Sequence, residues 1–360
     1  MTEKKYVILF LSGLSAMLCL VAAFDRIVDP FWYYRDISIP GFNEIKPKFR
    51  RYERHVKPSI LEREQPGAVI FGSSYAEIGF DPSRLAAVAG VSAYNFALAG
   101  AQWERVYCDV RYALKYDRNL RWIVLGIHPE AMPAADCDLS SMRHPDRIAF
   151  LLSADALKAS FETVIEQRRG SPSHTAQGLY FYTRGMAGTA QRFREYLPTH
   201  SPCGQPSPYP EGGFDLEGLR KLLREAGRRN IGVKLVVYPR HAIPVELEYL
   251  CGARRGRWEA LSEIVSMAGK AEVWDFEGFN AFSVEKISQA PAVYWQDPAH
   301  FNYEYGNIML DEMFGRALPV VGNRLTPETL RGREDAERAA RAAYLTGHPG
   351  FDAEVRSLLP

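Results

Sequence analysis

The sequence has little net charge and none of the short motifs that mark several common enzyme classes. Its 44 lysine and arginine residues balance 43 acidic residues, so the formal charge is +1. Such a chain has no large field to attract nucleic acid, which disfavours a nucleic-acid-binding role. It contains no GxxxxGK[ST] loop, no GxGxxG after a predicted strand and no HExxH. Nucleotide-dependent, dinucleotide-dependent and HExxH-type zinc chemistry therefore lack their signatures.

Cysteine is also scarce, and its spacing is not that of metal ligands. Four of the five cysteines lie outside the N-terminal apolar run, at Cys108, Cys137, Cys203 and Cys251, and none belongs to a CxxC pair. We therefore predict no metal site and no cofactor. Four cysteines allow three pairings, and the sequence does not choose among them.

One long apolar run stands near the start of the chain. The 19 residues from Tyr6 to Phe24 carry no charge and follow two lysines. In an α-helix, this length spans about 28 Å, close to the ~30 Å hydrocarbon core of a bilayer. The residues after the run offer no small-x-small cleavage site, so we expect a retained single-pass anchor over residues 1–25. The two lysines favour a cytoplasmic N-terminus, with the rest of the chain outside a bacterial inner membrane, in the periplasm.

Apolar runs and helical spacings alternate through the rest of the chain. Residues 68–72 and 121–126 are short apolar runs ended by glycine, which is typical of buried strands. Apolar residues recur at helical spacing in 215–229, which the apolar run 233–238 follows, and the same helix-then-strand order recurs in 257–268 and 272–276. Strands that alternate with helices predict an α/β fold with a mostly parallel sheet and right-handed crossovers.

These patterns divide the chain into four segments. The anchor is followed by a juxtamembrane connector over 26–65 and then by an α/β domain over 66–320. Residues from about 140 to 213 interrupt the alternation with a helical stretch and a proline-rich region. We interpret them as a helical insertion that covers one end of the sheet. A charged helical tail occupies 321–360.

A pair of serines follows the first predicted strand directly, in the segment Gly72-Ser73-Ser74. Open α/β sheets place their ligands at the carboxyl ends of parallel strands, where the N-terminus of the next helix favours negative charge. A serine on this turn is therefore well placed to act as a nucleophile. The alternative is that either serine only caps the turn.

Two later segments carry the other groups that an acyl-transfer site needs. Gly100 ends a short apolar stretch, and its backbone N–H can approach a developing oxyanion because glycine has no side chain. Asp297 and His300 are three residues apart, so the carboxylate can orient the imidazole as a general base for a serine. The alternative for Gly100 is an ordinary loop glycine. The alternative for Asp297 and His300 is a surface Asp-Pro turn with an incidental histidine.

In this order, the segments resemble the SGNH (GDSL-like) hydrolase superfamily over roughly residues 66–315. The matching pieces are a strand followed by GSS, an NxxxxG segment from Asn95 to Gly100, and DxxH near the end. The chain is similar especially to the membrane-anchored bacterial branch that includes cell-envelope and exopolysaccharide O-acetyltransferases. The resemblance implies a three-layer sandwich around a flavodoxin-like, mostly parallel sheet.

The resemblance also assigns catalytic roles. It makes Ser74 the nucleophile and Asp297 and His300 the acid and base of a triad, and the backbone N–H groups of Ser74 and Gly100 form the oxyanion hole. Many family members add the asparagine of a GxND block as another donor, but this chain has His128 near that place. Loss of one such donor costs about 2.7–4 kcal/mol of transition-state stabilisation.

Other residues are candidates for binding substrate. Ser73 and Asn95 belong to the matching motifs, and His128 occupies the third one. Arg240 and His241 follow a predicted strand at the same end of the sheet. The alternative for Arg240 and His241 is that both are solvated loop residues.

The resemblance implies a serine esterase or O-acyltransferase, with acetyl as the expected group and an envelope or exported polysaccharide as the substrate. The acyl group would pass from Ser74 to a sugar hydroxyl or to water. A membrane acyl exporter is the partner that tethering favours, because proximity raises the local concentration of acyl groups. The second hypothesis is a non-catalytic glycan-binding or scaffold subunit of an export complex with the same fold, which the missing asparagine favours.

Overall fold

The chain folds into two compact units in a computed structural model, which is described here for residues 3–142, 147–167, 172–181, 189–200, 203, 209, 213–254, 256–287, 292–316 and 321–357. Unit 1 comprises the described residues up to Glu64 and those from Asp138 to Ala176. Unit 2 comprises Gln65–Cys137 and the described residues from Gln177 onward. The predicted insertion is therefore divided between the units, since its first part belongs with the N-terminal segment.

Helices account for most of the regular structure. Those of the described residues are, in chain order, α1 (Glu3–Val28), α2 (Phe49–Glu64), α3 (Ser74–Gly79), α4 (Pro82–Ala89), α5 (Trp103–Tyr116), α6 (Arg147–Leu151), α7 (Ala154–Glu166), α8 (Thr189–Tyr196), α9 (Glu217–Arg228), α10 (Ala242–Cys251), α11 (Arg257–Met267), α12 (Tyr303–Met313), α13 (Pro327–Gly347) and α14 (Phe351–Arg356). Helices α1, α2, α6 and α7 lie in unit 1, and the others lie in unit 2.

Helix α1 contains the apolar run near the start of the chain. It has 26 residues and extends to Val28, beyond the predicted end of the anchor at residue 25. Its most apolar stretch is not buried by any part of the structure. By length and composition, this one helix can cross a membrane, a test that signal sequences also pass.

A six-stranded sheet forms the centre of unit 2. The strands are β1 (Ala68–Phe71), β2 (Ala93–Asn95), β3 (Trp122–Ile127), β4 (Gly232–Val237), β5 (Glu272–Asp275) and β6 (Asn323–Leu325), in the order β2-β1-β3-β4-β5-β6. Strands β1 to β5 pair in parallel, and β6 is antiparallel to β5. The predicted α/β class and mostly parallel sheet are confirmed. The strand order places a switch point between β1 and β3, where open α/β sheets bind ligands outside the carboxyl ends of the strands.

The local sequence sets the boundaries of helix α4, which packs on β1 and β2. The Asp81 side chain accepts a hydrogen bond from the Ser83 N–H at 2.8 Å, and Pro82 occupies the first helical position. Gly90 ends the helix at φ +69°, in the left-handed region that glycine favours.

The C-terminal segment differs from the sequence prediction. Strand β6 joins the sheet from within the predicted tail, and α13 packs against α11 and β6. The sheet domain therefore extends past residue 320. Only one of the three β6 residues is buried, so the strand is too short to show the periodicity that identifies strands. The predicted connector is also more regular than expected, since it contains helix α2.

Two disulfides lie in unit 2. Cys108 is bonded to Cys137, and Cys203 is bonded to Cys251, with Cα atoms 5.5 and 5.2 Å apart. The structure thus selects one of the three pairings that the sequence left open. Disulfides form and persist in oxidising compartments such as the bacterial periplasm.

Candidate active site

Ser74 is the first residue of α3, directly beyond β1. The turn between them depends on Gly72, whose φ of +147° favours glycine and whose added Cβ would lie 2.0 Å from the Tyr238 hydroxyl. The strand can therefore turn sharply into the helix. Ser74 is left half-buried at the carboxyl end of β1, beside the switch point of the sheet.

His300 and Asp297 reach Ser74 from the loop that precedes α12. Ser74 Oγ lies 2.8 Å from His300 Nε2, and His300 Nδ1 lies 2.9 and 3.0 Å from the two carboxylate oxygens of Asp297. The two contacts use different ring nitrogens, so the hydroxyl, the imidazole and the carboxylate are connected in series. With the proton on Nδ1, Nε2 can accept the hydroxyl proton of Ser74.

The backbone also holds the Asp297 carboxylate. Oδ1 accepts hydrogen bonds from the N–H groups of Ala299 at 2.9 Å and His300 at 2.8 Å. Burial raises the pKa of this carboxyl, but the hydrogen bonds and the charge of His300 outweigh burial, and the net pKa is lower than usual. Asp297 is therefore anionic near neutral pH and can stabilise an imidazolium ion.

Two glycines allow α3, which begins at Ser74, to touch α12, which follows His300. Gly79 ends α3, and Gly306 lies in the first turns of α12. A Cβ on Gly306 would lie 1.6 Å from the Gly79 carbonyl oxygen, and a Cβ on Gly79 would lie 2.1 Å from the buried ring of Phe301. The backbones can approach this closely only without side chains at these positions. This contact connects the Ser74 helix to the His300 loop.

The ring of Tyr75 packs among the rings around the triad. Its centroid lies 4.6 Å from that of His300, 4.8 Å from that of His128 and 4.9 Å from that of Tyr238, on which it stacks. Such packing limits rotation of the imidazole and helps to hold Nε2 at Ser74. Burial raises the pKa of the Tyr75 phenol well above its usual value, so this ring is neutral.

Tyr238 is a neighbour that the sequence did not single out. Its hydroxyl accepts a hydrogen bond from the Ser73 N–H at 3.3 Å. Its ring occupies space that a side chain on Gly126 would fill, since a Cβ there would lie 2.2 Å from the ring. The sequence gives one hint, because each of the two apolar runs ends in a glycine, at Gly72 and Gly126. These glycines leave space above the strands but do not show which side chain fills it.

A cavity of about 270 Å³ opens beside the triad. Ser73, Ser74 and Gly100 line it together with Trp103 and Met132. Among the described residues, no hydrogen bond uses the backbone N–H of Ser74 or Gly100. Both donors are therefore available to an anionic oxygen bound in this cavity.

His128 lines the same cavity, just beyond the end of β3. Burial and the nearby charge of Arg240 lower the pKa of His128 to about 4, so its imidazole is neutral near pH 7. A neutral imidazole still carries one N–H donor. Within the described part of the chain, no hydrogen bond uses the His128 ring. It is thus available as a donor where the resemblance expects an asparagine.

No family model matches the chain, and no curated protein matches it in sequence. The roles of these residues therefore depend on their geometry and chemistry. Ser74, His300, Asp297 and Gly100 lie at one end of the sheet, as the resemblance implies. Ser73 lines the cavity beside them, and its contact with substrate stays a prediction.

The predicted contact of Asn95 with substrate is wrong, because its amide is used inside the fold. Asn95 is fully buried, and its Nδ2 donates to the carbonyl oxygens of Ala76 and Phe80 at 2.9 Å. Its Oδ1 accepts from the Ala97 N–H at 3.1 Å. Asn95 therefore ties the end of β2 to α3 and positions the helix that begins at Ser74.

Arg240 is not a solvated loop residue, and its contact with substrate stays a prediction, since it lines a small cavity together with His128. Its guanidinium pairs with Glu248 and Glu277, with closest distances of 2.6 Å to each. Arg254 and Arg257 also contact Glu277, at 2.8 and 3.1 Å. Burial raises the pKa of Glu277, but the three arginines outweigh burial and hold it well below its usual range. Arg240 is thus part of a buried ion-pair network.

His241 is likewise occupied, as the residue that caps α10. Its Nδ1 accepts a hydrogen bond from the Ile243 N–H at 3.2 Å, and its Nε2 lies 2.8 Å from the Glu285 carbonyl oxygen. It is also buried, so both predicted roles, substrate ligand and solvated loop residue, are wrong. Residue type alone does not show that both ring nitrogens have partners.

We expect His241 to contribute less to the stability of the protein as the pH decreases from about 6.5 to about 4. Burial lowers the pKa of His241 to about 4, below the ~6.5 of an exposed histidine. A group whose folded-state pKa is depressed stabilises the fold above its unfolded pKa, and this contribution is lost as the pH falls toward the folded value. The pKa of His128 is shifted in the same direction.

The measurement is the free energy of unfolding by chemical denaturation at several pH values. The difference in unfolding free energy between the native protein and His241→Gln should shrink as the pH falls across this window, whereas His348→Gln, which alters an exposed histidine, should keep a profile parallel to that of the native protein. Parallel pH profiles for the native protein and His241→Gln would contradict the assignment.

Proposed function

We propose that the protein is an SGNH-type serine O-acyltransferase or esterase that acts on an envelope or exported polysaccharide. The main support is the series of contacts from Ser74 Oγ to His300 Nε2 at 2.8 Å and from His300 Nδ1 to Asp297 at 2.9 Å. A solvated serine that only capped a turn would not need an imidazole oriented in this way. The strand order, with Ser74 and His128 beside the switch point, is compatible with the three-layer sandwich that the proposal implies.

In the proposed reaction, His300 takes the Ser74 proton as Oγ attacks the carbonyl carbon of an acyl donor. The bond to the leaving group then breaks, and the imidazolium returns the proton to that group. A sugar hydroxyl or water next gives a proton to His300 and attacks the acyl carbon; the bond to Ser74 Oγ then breaks, and the imidazolium returns the proton to Oγ. Asp297 stays ionised throughout and stabilises the imidazolium.

The negative charge on the carbonyl oxygen would meet the N–H groups of Ser74 and Gly100. Neutral His128 is the third donor in this proposal, in place of the asparagine of the GxND block. An imidazole that stays neutral at pH 7 donates a hydrogen bond without changing the charge of the site. The departure from the family pattern is therefore compatible with catalysis.

The surroundings of Ser74 suit an acylated sugar. The cavity combines the aromatic ring of Trp103 and the apolar side chain of Met132 with polar groups, and sites for sugars commonly combine these features. Acetyl is the group that the resemblance favours.

Three features support a location on the outer side of a bacterial inner membrane. Helix α1 is long and apolar enough to act as a single-pass anchor. The two disulfides require an oxidising environment to persist, and the lysines before the apolar run favour a cytoplasmic N-terminus. An anchored transferase beside a membrane acyl exporter would receive acyl groups at high local concentration.

A fluorophosphonate probe tests this proposal against the non-catalytic scaffold. The probe reacts with a serine only where a base and an oxyanion site activate it, so we expect stoichiometric labelling of the folded protein and none after unfolding in denaturant. An acetylated oligosaccharide should slow the labelling by competition. Folded protein that stays unlabelled would favour a glycan-binding or scaffold role.

A further inference from the structure

Helix α7 in unit 1 has its large apolar side chains on the outside. Phe161 is 55% exposed and Ile165 is 66% exposed, and the half-buried Leu157 extends the same stripe by one turn. The residues on the buried side of the helix are small, namely Ala156, Ala159, Ser160 and Thr163. A helix on the water-exposed surface of a soluble protein has the opposite arrangement, with its large apolar residues packed inward.

This stripe is continuous with the exposed apolar surface of α1. The ring of Phe161 lies 5.0 Å from the ring of Phe24, the last residue of the apolar run. Nearby on α1, Leu20 is 72% exposed and Ile27 is 39% exposed. An apolar surface that spans the end of α1 and one side of α7 is therefore left exposed by the residues of unit 1 that the structure describes.

The charges around the stripe do not oppose contact with lipid. Glu166 pairs with Lys48 at 2.7 Å, and Asp155 pairs with Arg51 at 2.9 Å. Lys158, whose side chain is 67% exposed and whose Nζ lies 4.0 Å from Glu162, is one turn before Phe161 and two turns before Ile165 on the same side of the helix. A lysine at that place can extend its charge to lipid phosphate while its stem covers apolar surface.

We propose that α7 is a second membrane contact, with Phe161 and Ile165 inserted into the interfacial layer of the bilayer that α1 crosses. Lipid is the occupant because the stripe continues the surface of α1, which is long and apolar enough to span a membrane. A single spanning helix leaves unit 1 free to tilt on the membrane, whereas two neighbouring contacts fix its orientation. The proposal does not depend on the catalytic role of Ser74.

The test uses the full chain in lipid nanodiscs that contain nitroxide-labelled phospholipid. An environment-sensitive fluorophore is placed on Phe161→Cys or Ile165→Cys in a Cys19→Ser background, without reductant so that the disulfides persist. The control on the same helix is Asp155→Cys, whose exposed side chain lies off the stripe. The native protein labelled at Cys19 reports whether α1 is inserted.

We expect lipid nitroxides near the glycerol backbone to quench the probes at 161 and 165 at least threefold more than the probe at 155. Equal quenching at all three positions would overturn the proposal. A blue-shifted emission without quenching would also overturn it, because it would indicate a protein partner or a second copy on this surface. An unquenched Cys19 probe would remove the anchor on which the proposal depends.

A second measurement needs no substitution in α7. A photoreactive phospholipid should crosslink the unaltered protein within the peptide that contains Phe161 and Ile165, in addition to α1. Crosslinks confined to α1 would overturn the proposal even if the cysteine variants fold poorly.

Discussion

Ser74→Ala is expected to reduce the turnover of an activated acetyl ester by a factor on the order of 10⁴ to 10⁶. The substitution removes the oxygen that lies 2.8 Å from His300 Nε2, so no acyl-enzyme can form. Residual turnover would come from the oxyanion donors and from binding alone. The measurement is the initial rate of p-nitrophenyl acetate hydrolysis by the full chain, compared with that of the unaltered protein.

The neighbouring serine provides the matched control. Ser73 lines the same cavity, and its backbone N–H, which alanine would keep, donates to the Tyr238 hydroxyl at 3.3 Å. Ser73→Ala should therefore keep the rate within about tenfold of that of the unaltered protein. If Ser73→Ala lost activity and Ser74→Ala kept it, the nucleophile would be wrongly assigned.

Asp297→Asn is expected to lower the turnover number by a factor on the order of 10³ to 10⁴, with little change in stability. Asparagine keeps an oxygen for the backbone N–H groups of Ala299 and His300. It removes the negative charge that stabilises the imidazolium, and it can no longer fix the proton on His300 Nδ1. Fluorophosphonate labelling of Ser74 should slow by a similar factor but still reach completion.

Asp311→Asn is the control that distinguishes loss of the charge beside His300 from loss of a buried carboxylate elsewhere in the fold. Asp311 is a buried carboxylate on α12 that pairs with Arg84, away from the triad. Its replacement should lower the free energy of unfolding and leave the labelling rate of Ser74 unchanged. An Asp297→Asn variant that labels as fast as the unaltered protein would contradict the role of Asp297.

The sequence predicts the sheet well because the central strands are buried on both sides. Apolar runs mark β1, β3 and β4, and β5 is predicted from its place after a segment with helical spacing. The short β6 carries too few buried residues to give a pattern. The sequence also does not show the division into two units. Unit 1 joins the N-terminal segment to residues 138–176, and these two segments are far apart in the chain.

The candidate site shows the same limit at the level of single residues. Ser74, Asp297 and His300 stand in recognisable local patterns, so their convergence follows from where the strands and loops end. Asn95 and His241 instead use their polar atoms on nearby backbone groups, and residue type does not reveal such partners. Which residues remain available to a ligand is therefore decided by tertiary hydrogen bonds.

Aromatic packing around the triad is also a tertiary property. Tyr75 contacts the rings of His300 and Tyr238, although Tyr238 follows a strand more than 150 residues later in the chain. The small residues Gly72 and Gly126 leave the space for the Tyr238 ring. Sequence spacing alone does not connect these positions.

The most direct measurement is mass spectrometry of the protein quenched in acid during turnover of an activated acetyl ester. We predict one acetyl group on the peptide that contains Ser74, at that residue, and its loss on exposure to an acceptor or on prolonged incubation. His300→Ala should prevent its accumulation, because the hydroxyl then has no base. An acetyl group on another residue, or turnover without any acylated peptide, would contradict the proposed mechanism.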